Sequence, residues 1–298
     1  MGRCDDMTPL KSRIERLGER ASVVTFHDPY VTNVCVILGH NSEQVFVLDT
    51  FLGPESMKIV KKAIDQQGCG GMPVTVFNSH ADYDHVWGNC TFSNSPIIGH
   101  DICRQRVIEE FQDALRRYSD HRRGKVEILP PNITFSHKIS FPVEGITLEH
   151  TPGHTPDSSS CHDAIGSILF VGDNIESPAP FVNSLNFDTY IGTLRGYLEL
   201  EWEYLLSGHD PLMRDDRLIL QNLEYLESLR TWEFSVEGAS RDMVHVHLHN
   251  LDRLSDELLK TKIPEGARAH YQTAMEYLES GEDLGSPELL KRIRRVVH

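Results

Sequence analysis

The sequence predicts a mixed α/β or α+β protein: two β-rich halves, residues 22–98 and 132–207, followed by a helical tail. Three observations carry this. Short β-branched, apolar runs bounded by turn residues recur through both halves. Apolar positions at helical spacing separate several of those runs. After Pro211 the pattern is helical nearly to the end. Two such halves suit two sheets packed face to face with helices outside, while element order leaves α/β and α+β both open.

Residues 22–27 (SVVTFH), 33–38 (NVCVIL) and 45–49 (VFVLD) read as strands, because β-branched and apolar side chains suit a packed, pleated surface. Residues 54–67 follow Gly53-Pro54 and place Met57, Val60, Ala63 and Ile64 at helical spacing; Gly68 and Gly70 stop the helix. Residues 73–77 (PVTVF) return to strand. Residues 101–118 read as a helix, ahead of a charged loop and the turn-forming Pro130-Pro131. Strands follow at ITFSHKISF (133–141), ITLEHT (146–151) and GSILFVGD (166–173). Residues 189–202 are helical and 204–206 make a short strand. The tail breaks at Pro264 and at Gly285-Ser286-Pro287. The expected organisation is a first domain over 1–210 and a helical extension over 211–298 packed on its core.

Composition narrows the function. The chain has 298 residues, a net charge of −15 and 44 acidic against 29 basic side chains. A broad nucleic-acid footprint needs clustered Lys and Arg, so nucleic acid is not an expected partner. The apolar runs fall short of the ~20 residues of a membrane span, and no apolar signal region follows the charged start. Gly2 lacks the Ser or Thr that myristoylation prefers, Asp6 standing there instead. Six cysteines with no CxxC pair read as free, mostly buried thiols of a reducing compartment, so the expected location is cytoplasmic. The expected partner is a small-molecule substrate, with a homo-oligomer open.

The chemistry concentrates in residues 78–89, NSHADYDHVWGN. His80, Asp82, Asp84 and His85 are all metal-ligand types and directly follow an expected strand. Three further candidates sit at turns past strands: His154 in TPGHTPDSSS, Asp173 in LFVGDN and His209 in LSGHDP. Neighbouring glycines permit the close backbone approach a metal pocket needs.

With these four segments and Asp49, which ends the VFVLD strand, in order, the chain resembles the metallo-β-lactamase superfamily over roughly residues 20–215. Asp49 matches its first motif, an acid supporting the metal loop. The family's His-x-His-x-Asp-His stands here as His80-Ala81-Asp82-Tyr83-Asp84-His85, and TPGHTPDS and LSGHDP are close to forms in glyoxalase II. The resemblance implies an α+β, four-layer αβ/βα sandwich whose helical extension partly caps the cleft. It implies two divalent metal ions: His80, Asp82 and His154 on one, Asp84, His85 and His209 on the other, with Asp173 bridging. Such a pair supplies a bridging hydroxide at neutral pH for attack on an electrophilic centre. The implied function is a metal-dependent hydrolase of a small ester, thioester, lactone or related substrate. Asp84 and Asp173 are the candidate proton carriers.

Asp82 departs from the family, which has His there. A carboxylate in place of an imidazole moves the first expectation, zinc, toward iron or manganese. The flavodiiron branch carries Glu at this position, which raises a di-iron redox enzyme as one alternative. A non-catalytic metabolite-binding module on the same fold is the other. Tyr190 is the candidate substrate contact, from its place before the last ligand strand. His245, His247 and His249 lie outside the matched motifs: on a helix His245 and His249 share a face, on a strand all three do. Packing is their expected role, as it is for Trp87.

Overall fold

A computed structural model describes residues 10–40, 43–280 and 287–298. Gly2, Cys4, Asp6 and the break at Gly285-Ser286 lie outside the described residues. Two compact units divide the chain. The first takes residues 1–150, 159–171 and 202–212; the second takes 151–158, 172–201 and 213–298. The division differs from a single boundary at 210/211, because two segments of the β-rich half join the tail.

The first unit holds both sheets. Strands β1 (Ser12–Leu17), β2 (Ala21–Phe26), β3 (Thr32–Leu38), β4 (Val45–Leu48), β5 (Val74–Phe77), β6 (Ile97–His100) and β7 (Ile133–Phe135) lie side by side in chain order. The β1 to β4 pairs are antiparallel and the β4 to β7 pairs parallel. The second sheet has the order β12 (Tyr204–Leu206), β11 (Ile168–Phe170), β10 (Ser159–Asp163), β9 (Ile146–His150) and β8 (Lys138–Phe141). Only its β11–β12 pair is parallel. The run 133–141, read as one stretch, divides between the sheets: its first part is β7 and its second β8.

Both faces of the inner strands β2 to β6 are buried, which is why most of them read as apolar runs rather than alternations. Along β3, Val34 and Val36 face one core and Cys35 and Ile37 the other. The first core packs under α1 (Pro54–Gln66) and α3 (Asp101–Arg117) through Met57, Val60, Cys103 and Val107. The second fills the space between the sheets, with Phe46, Phe77, Leu148 and Phe170. Helix α1 starts on Pro54, whose missing N–H costs nothing there. Helix α3 is capped by the His100 side chain, which accepts from the Ile102 amide at 3.1 Å.

The second unit is helical: α4 (Phe187–Leu198), α5 (Arg217–Thr231), α6 (Arg241–Leu258), α7 (Glu265–Glu279) and α8 (Pro287–Val297). Asn250 of α6 joins α5 and the 178–182 loop, donating to Tyr225 Oη and Pro180 O and accepting from the Val182 amide at 2.9 Å each. Residues 245–249 are helical, and their histidines separate: His247 is buried, His249 half-buried against Arg253 and His245 exposed. No helix among the described residues is long and apolar enough to cross a membrane. Cys35, Cys69, Cys90, Cys103 and Cys161 form no disulfide.

Candidate metal centre

The parallel strands β4 and β5 end together, and the loops leaving them build the site. Asp49 follows β4 in a left-handed conformation, φ 63°. Its carboxylate is fully buried and accepts three hydrogen bonds: from the Ser79 amide at 2.7 Å, Ser79 Oγ at 2.6 Å and His85 Nδ1 at 2.7 Å. Asp49 therefore fixes the proton of His85 on Nδ1 and leaves Nε2 its lone pair. Ser79 Oγ gives its own proton to Asp49, so it accepts from His80 Nδ1, 3.0 Å away. Through Ser79 the same acid sets the tautomer of His80. Asp49 was legible in the sequence; Ser79, which relays it, was not singled out.

The loop then turns into α2 (Tyr83–Val86), with Asp84 in its first turn. The turn is held from below. Thr50 Oγ1 donates to Asn89 Oδ1 at 2.8 Å, and Asn78 and Asn89 exchange amide hydrogen bonds at 2.8 and 3.1 Å. Gly88 lies so close that a Cβ there would collide with the Thr50 carbonyl oxygen. Gly88→Ala is expected to cost about 1–3 kcal/mol, since backbone must move to admit the methyl. Urea unfolding checks it; an unchanged midpoint would contradict this packing.

His209 follows β12 in the segment Ser207-Gly208-His209-Asp210. Asn33 of β3 pins that segment, donating to Ser207 O at 3.0 Å and Asp210 O at 2.7 Å. His209 Nδ1 lies 2.7 Å from Val31 O, an acceptor only, so Nδ1 carries the proton here too. Asp84 Oδ2 then stands 3.8 Å from His85 Nε2 and 3.5 Å from His209 Nε2. These separations are too long for hydrogen bonds. Two donors on one tetrahedral ion, each about 2.1 Å from it, stand about 3.4 Å apart. One donor atom from each of Asp84, His85 and His209 lies within 4.8 Å of the others, so the set fits a divalent ion.

His80 adjoins this group, its ring 4.2 Å from that of His85 between centroids. His80 Nε2 lies 3.7 Å from Asp82 Oδ2, again a ligand-to-ligand separation. The other Asp82 oxygen, Oδ1, accepts from Arg106 Nη2 of α3 at 2.9 Å. Arg106 also pairs with Glu110 at 2.9 Å. The carboxylate that replaces the family's imidazole thus comes with a guanidinium that takes up part of its charge, a partner 24 residues away that no local pattern revealed.

His154 and Asp173 belong to the second unit. His154 Nδ1 lies 3.1 Å from Phe181 O, and its amide donates to Asn174 Oδ1 at 3.0 Å. Asn174 also donates to Thr151 O at 2.7 Å, tying the His154 loop to the turn that carries Asp173. Tyr190, read as a substrate contact, is 2% exposed. Its hydroxyl donates to Asn174 O at 3.0 Å, and its ring fills the space a Cβ at Gly153 would need. Burial holds its phenol well above the usual range. In this unit Tyr190 braces the loop that presents His154.

Tyr30, in the β2–β3 loop, was missed by the sequence reading. Its hydroxyl donates to Asp84 Oδ2 at 3.0 Å and stands 2.6 Å from Tyr83 Oη. Burial and the Asp84 charge push the Tyr30 phenol far above its ordinary value, so it stays a donor. The same causes raise Tyr83.

The family model of the metallo-beta-lactamase superfamily matches residues 27–238. The chain belongs to that superfamily. Solved metallo-beta-lactamases share the fold: that of Pontibacter korlensis superposes with a TM-score of 0.57 at 15% identity, covering 73% of this chain and 99% of that one. That of Hirschia baltica gives 0.53 at 18%, covering 72% and 97%. The α+β sandwich expected of the family is therefore the fold of this chain. Among curated relatives, an N-acyl homoserine lactonase of Bacillus thuringiensis is 28% identical over 154 residues, 45% of this chain and 55% of the relative. A putative transcription factor, avaE, of Aspergillus versicolor is 30% identical over 122 residues, 37% of this chain and 35% of the relative. The chain thus spans about a third to about half the length of these relatives.

Proposed function

We propose that this superfamily member is a dinuclear metal-dependent hydrolase of small esters, with lactones the first substrate class to try. One observation carries the reading. Each of the four candidate histidine ligands, His80, His85, His154 and His209, has Nδ1 against an oxygen acceptor, which keeps Nε2 as the ligand atom. Such uniformity is the signature of a metal set, since ordinary packed histidines have no reason to share a tautomer. His80, Asp82 and His154 would hold one ion, Asp84, His85 and His209 the other, with Asp173 between them. When bound, the ions supply Lewis acidity and lower the pKa of water so that it attacks at neutral pH.

The residues of the chain do the rest. Asp49 and Ser79 fix the tautomer and the aim of the His85 and His80 imidazoles. Asp84 and Asp173, the buried carboxylates of the set, carry the proton released by the attacking water to the alkoxide oxygen as the acyl C–O bond breaks. In a lactone that oxygen stays attached, so ring opening needs no departing group. Asp82 adds an oxygen donor and moves the first site from zinc toward iron or manganese, with Arg106 offsetting the added charge. The N-acyl homoserine lactonase relative supports the lactone choice.

The test is a panel of N-acyl homoserine lactones, simple lactones, aryl esters and thioesters. Protein reloaded separately with zinc, manganese or iron is compared with protein stripped by chelator. Metal-dependent turnover of a lactone or ester, lost on chelation and restored on reloading, is expected. Turnover that survives complete stripping would rule the reading out.

A further inference from the structure

Three polar side chains form a line leading to Asp84. Tyr30 Oη stands 3.0 Å from Asp84 Oδ2, Tyr83 Oη 2.6 Å from Tyr30 Oη, and His121 Nδ1 2.9 Å from Tyr83 Oη. Counting protons gives each bond its direction. A carboxylate only accepts, so Tyr30 commits its single proton to Asp84. The Tyr30 oxygen must then accept from Tyr83, and the Tyr83 oxygen from the Nδ1–H of His121. Donation runs one way, inward from a half-buried histidine to the carboxylate. The line is rigid: Tyr83 stacks on Tyr118 with centroids 4.0 Å apart and planes at 9°, and tilts against the buried Trp87 at 5.0 Å.

The oxygen that Tyr30 reaches is Oδ2, the one facing His85 Nε2 and His209 Nε2. A carboxylate oxygen accepts in two directions. Tyr30 takes one of them and prevents the carboxylate from turning, which leaves the other for whatever the two imidazoles share. The β2–β3 loop serves both partners at once, because Val31, next to Tyr30, holds His209 through its carbonyl.

We propose that Tyr30, Tyr83 and His121 are positioning residues, a one-way hydrogen-bond chain that holds Asp84 in the orientation for binding a divalent ion together with His85 and His209. The proposal rests on the second metal site of the hydrolase reading and adds Tyr30 and His121, which lie outside the five sequence motifs, and Tyr83, a position that the second motif leaves open.

The experiment uses the full chain and two readouts besides turnover: the dissociation constant of the second ion by chelator competition, and the visible spectrum of the cobalt(II)-loaded protein. Tyr30→Phe keeps the ring and removes the donor. It is expected to weaken the second ion about 10-fold or more at unchanged stoichiometry and to shift the cobalt bands. His121→Ala, at a half-buried position that tolerates truncation, should move both readouts the same way by less. His121→Asn, whose amide restores an N–H near Nδ1, should recover most of the loss. Asp84→Ala is the control. If it loses the second ion while Tyr30→Phe and His121→Ala bind as wild type does, the chain is overturned and the metal site stands. If Asp84→Ala itself binds normally, the metal site and the chain both fall.

Discussion

Asp84→Ala and His209→Ala are each expected to lose one of two bound ions and to lower lactone or ester turnover by at least about a hundredfold. The two residues come from different elements, the first turn of α2 and the loop after β12, yet their donor atoms stand 3.5 Å apart. Removing either leaves a two-donor site, and His85 alone beside the remaining ligand holds an ion weakly. The framework of each ligand survives the change. Asp49 still fixes His85, and Asn33 still pins the 207–210 segment. Loss of metal should therefore come without comparable loss of fold. Elemental analysis and thermal unfolding on the same samples separate the two effects. Full activity in both variants would mean that these residues do not hold a catalytic ion.

The second large effect is an acid instability of the helical unit. His247 of α6 is buried, its Nδ1 3.1 Å from Tyr225 Oη of α5 and its Nε2 3.0 Å from His270 Nε2 of α7. Burial, helped by the neighbouring His270, lowers the His247 pKa to about 3, and burial lowers that of His270 as well. The folded state therefore keeps His247 neutral, while the unfolded chain takes up a proton near the ordinary value of 6.5. A lowered histidine pKa means stability is intact above the unfolded value and falls as pH drops from about 6.5 toward about 3. Through His247 this amounts to about 2 kcal/mol at pH 5. Urea unfolding at pH 7 and pH 5, followed through Trp232 fluorescence beside His270, measures it. His247→Gln, which does not titrate, should lose about 2 kcal/mol less than wild type between the two pH values. Equal losses would contradict the account.

What the sequence made legible follows from physical locality. Strands β2 to β5 stood out because both of their faces are buried, so most positions are apolar. Strand β1 did not: SRIERL is a mostly exposed edge that carries Arg13, Glu15 and Arg16 and offers no apolar run. Strand β10, SSCHD, is buried but polar, and its Asp163 side chain accepts from the Ile165 and Gly166 amides rather than filling a core. The candidate ligands stood out because His and Asp at loop positions next to strands are the types that a metal set would use. The groups that aim them were not. Val31 acts through its carbonyl, which has no side-chain signature, from 178 positions away. Arg106 reaches Asp82 from the second turn of an otherwise ordinary surface helix. Tyr190 shows the converse: its place in the motif order suggested a substrate contact, whereas local packing against Gly153 and Asn174 engages it in bracing the loop.

Metal content of the as-purified protein, by elemental mass spectrometry, tests the central claim most directly. The account predicts about two divalent ions per chain, with iron or manganese in place of part of the zinc if Asp82 ligates. Protein that carries no metal and takes up none on incubation with zinc, manganese or iron would contradict it.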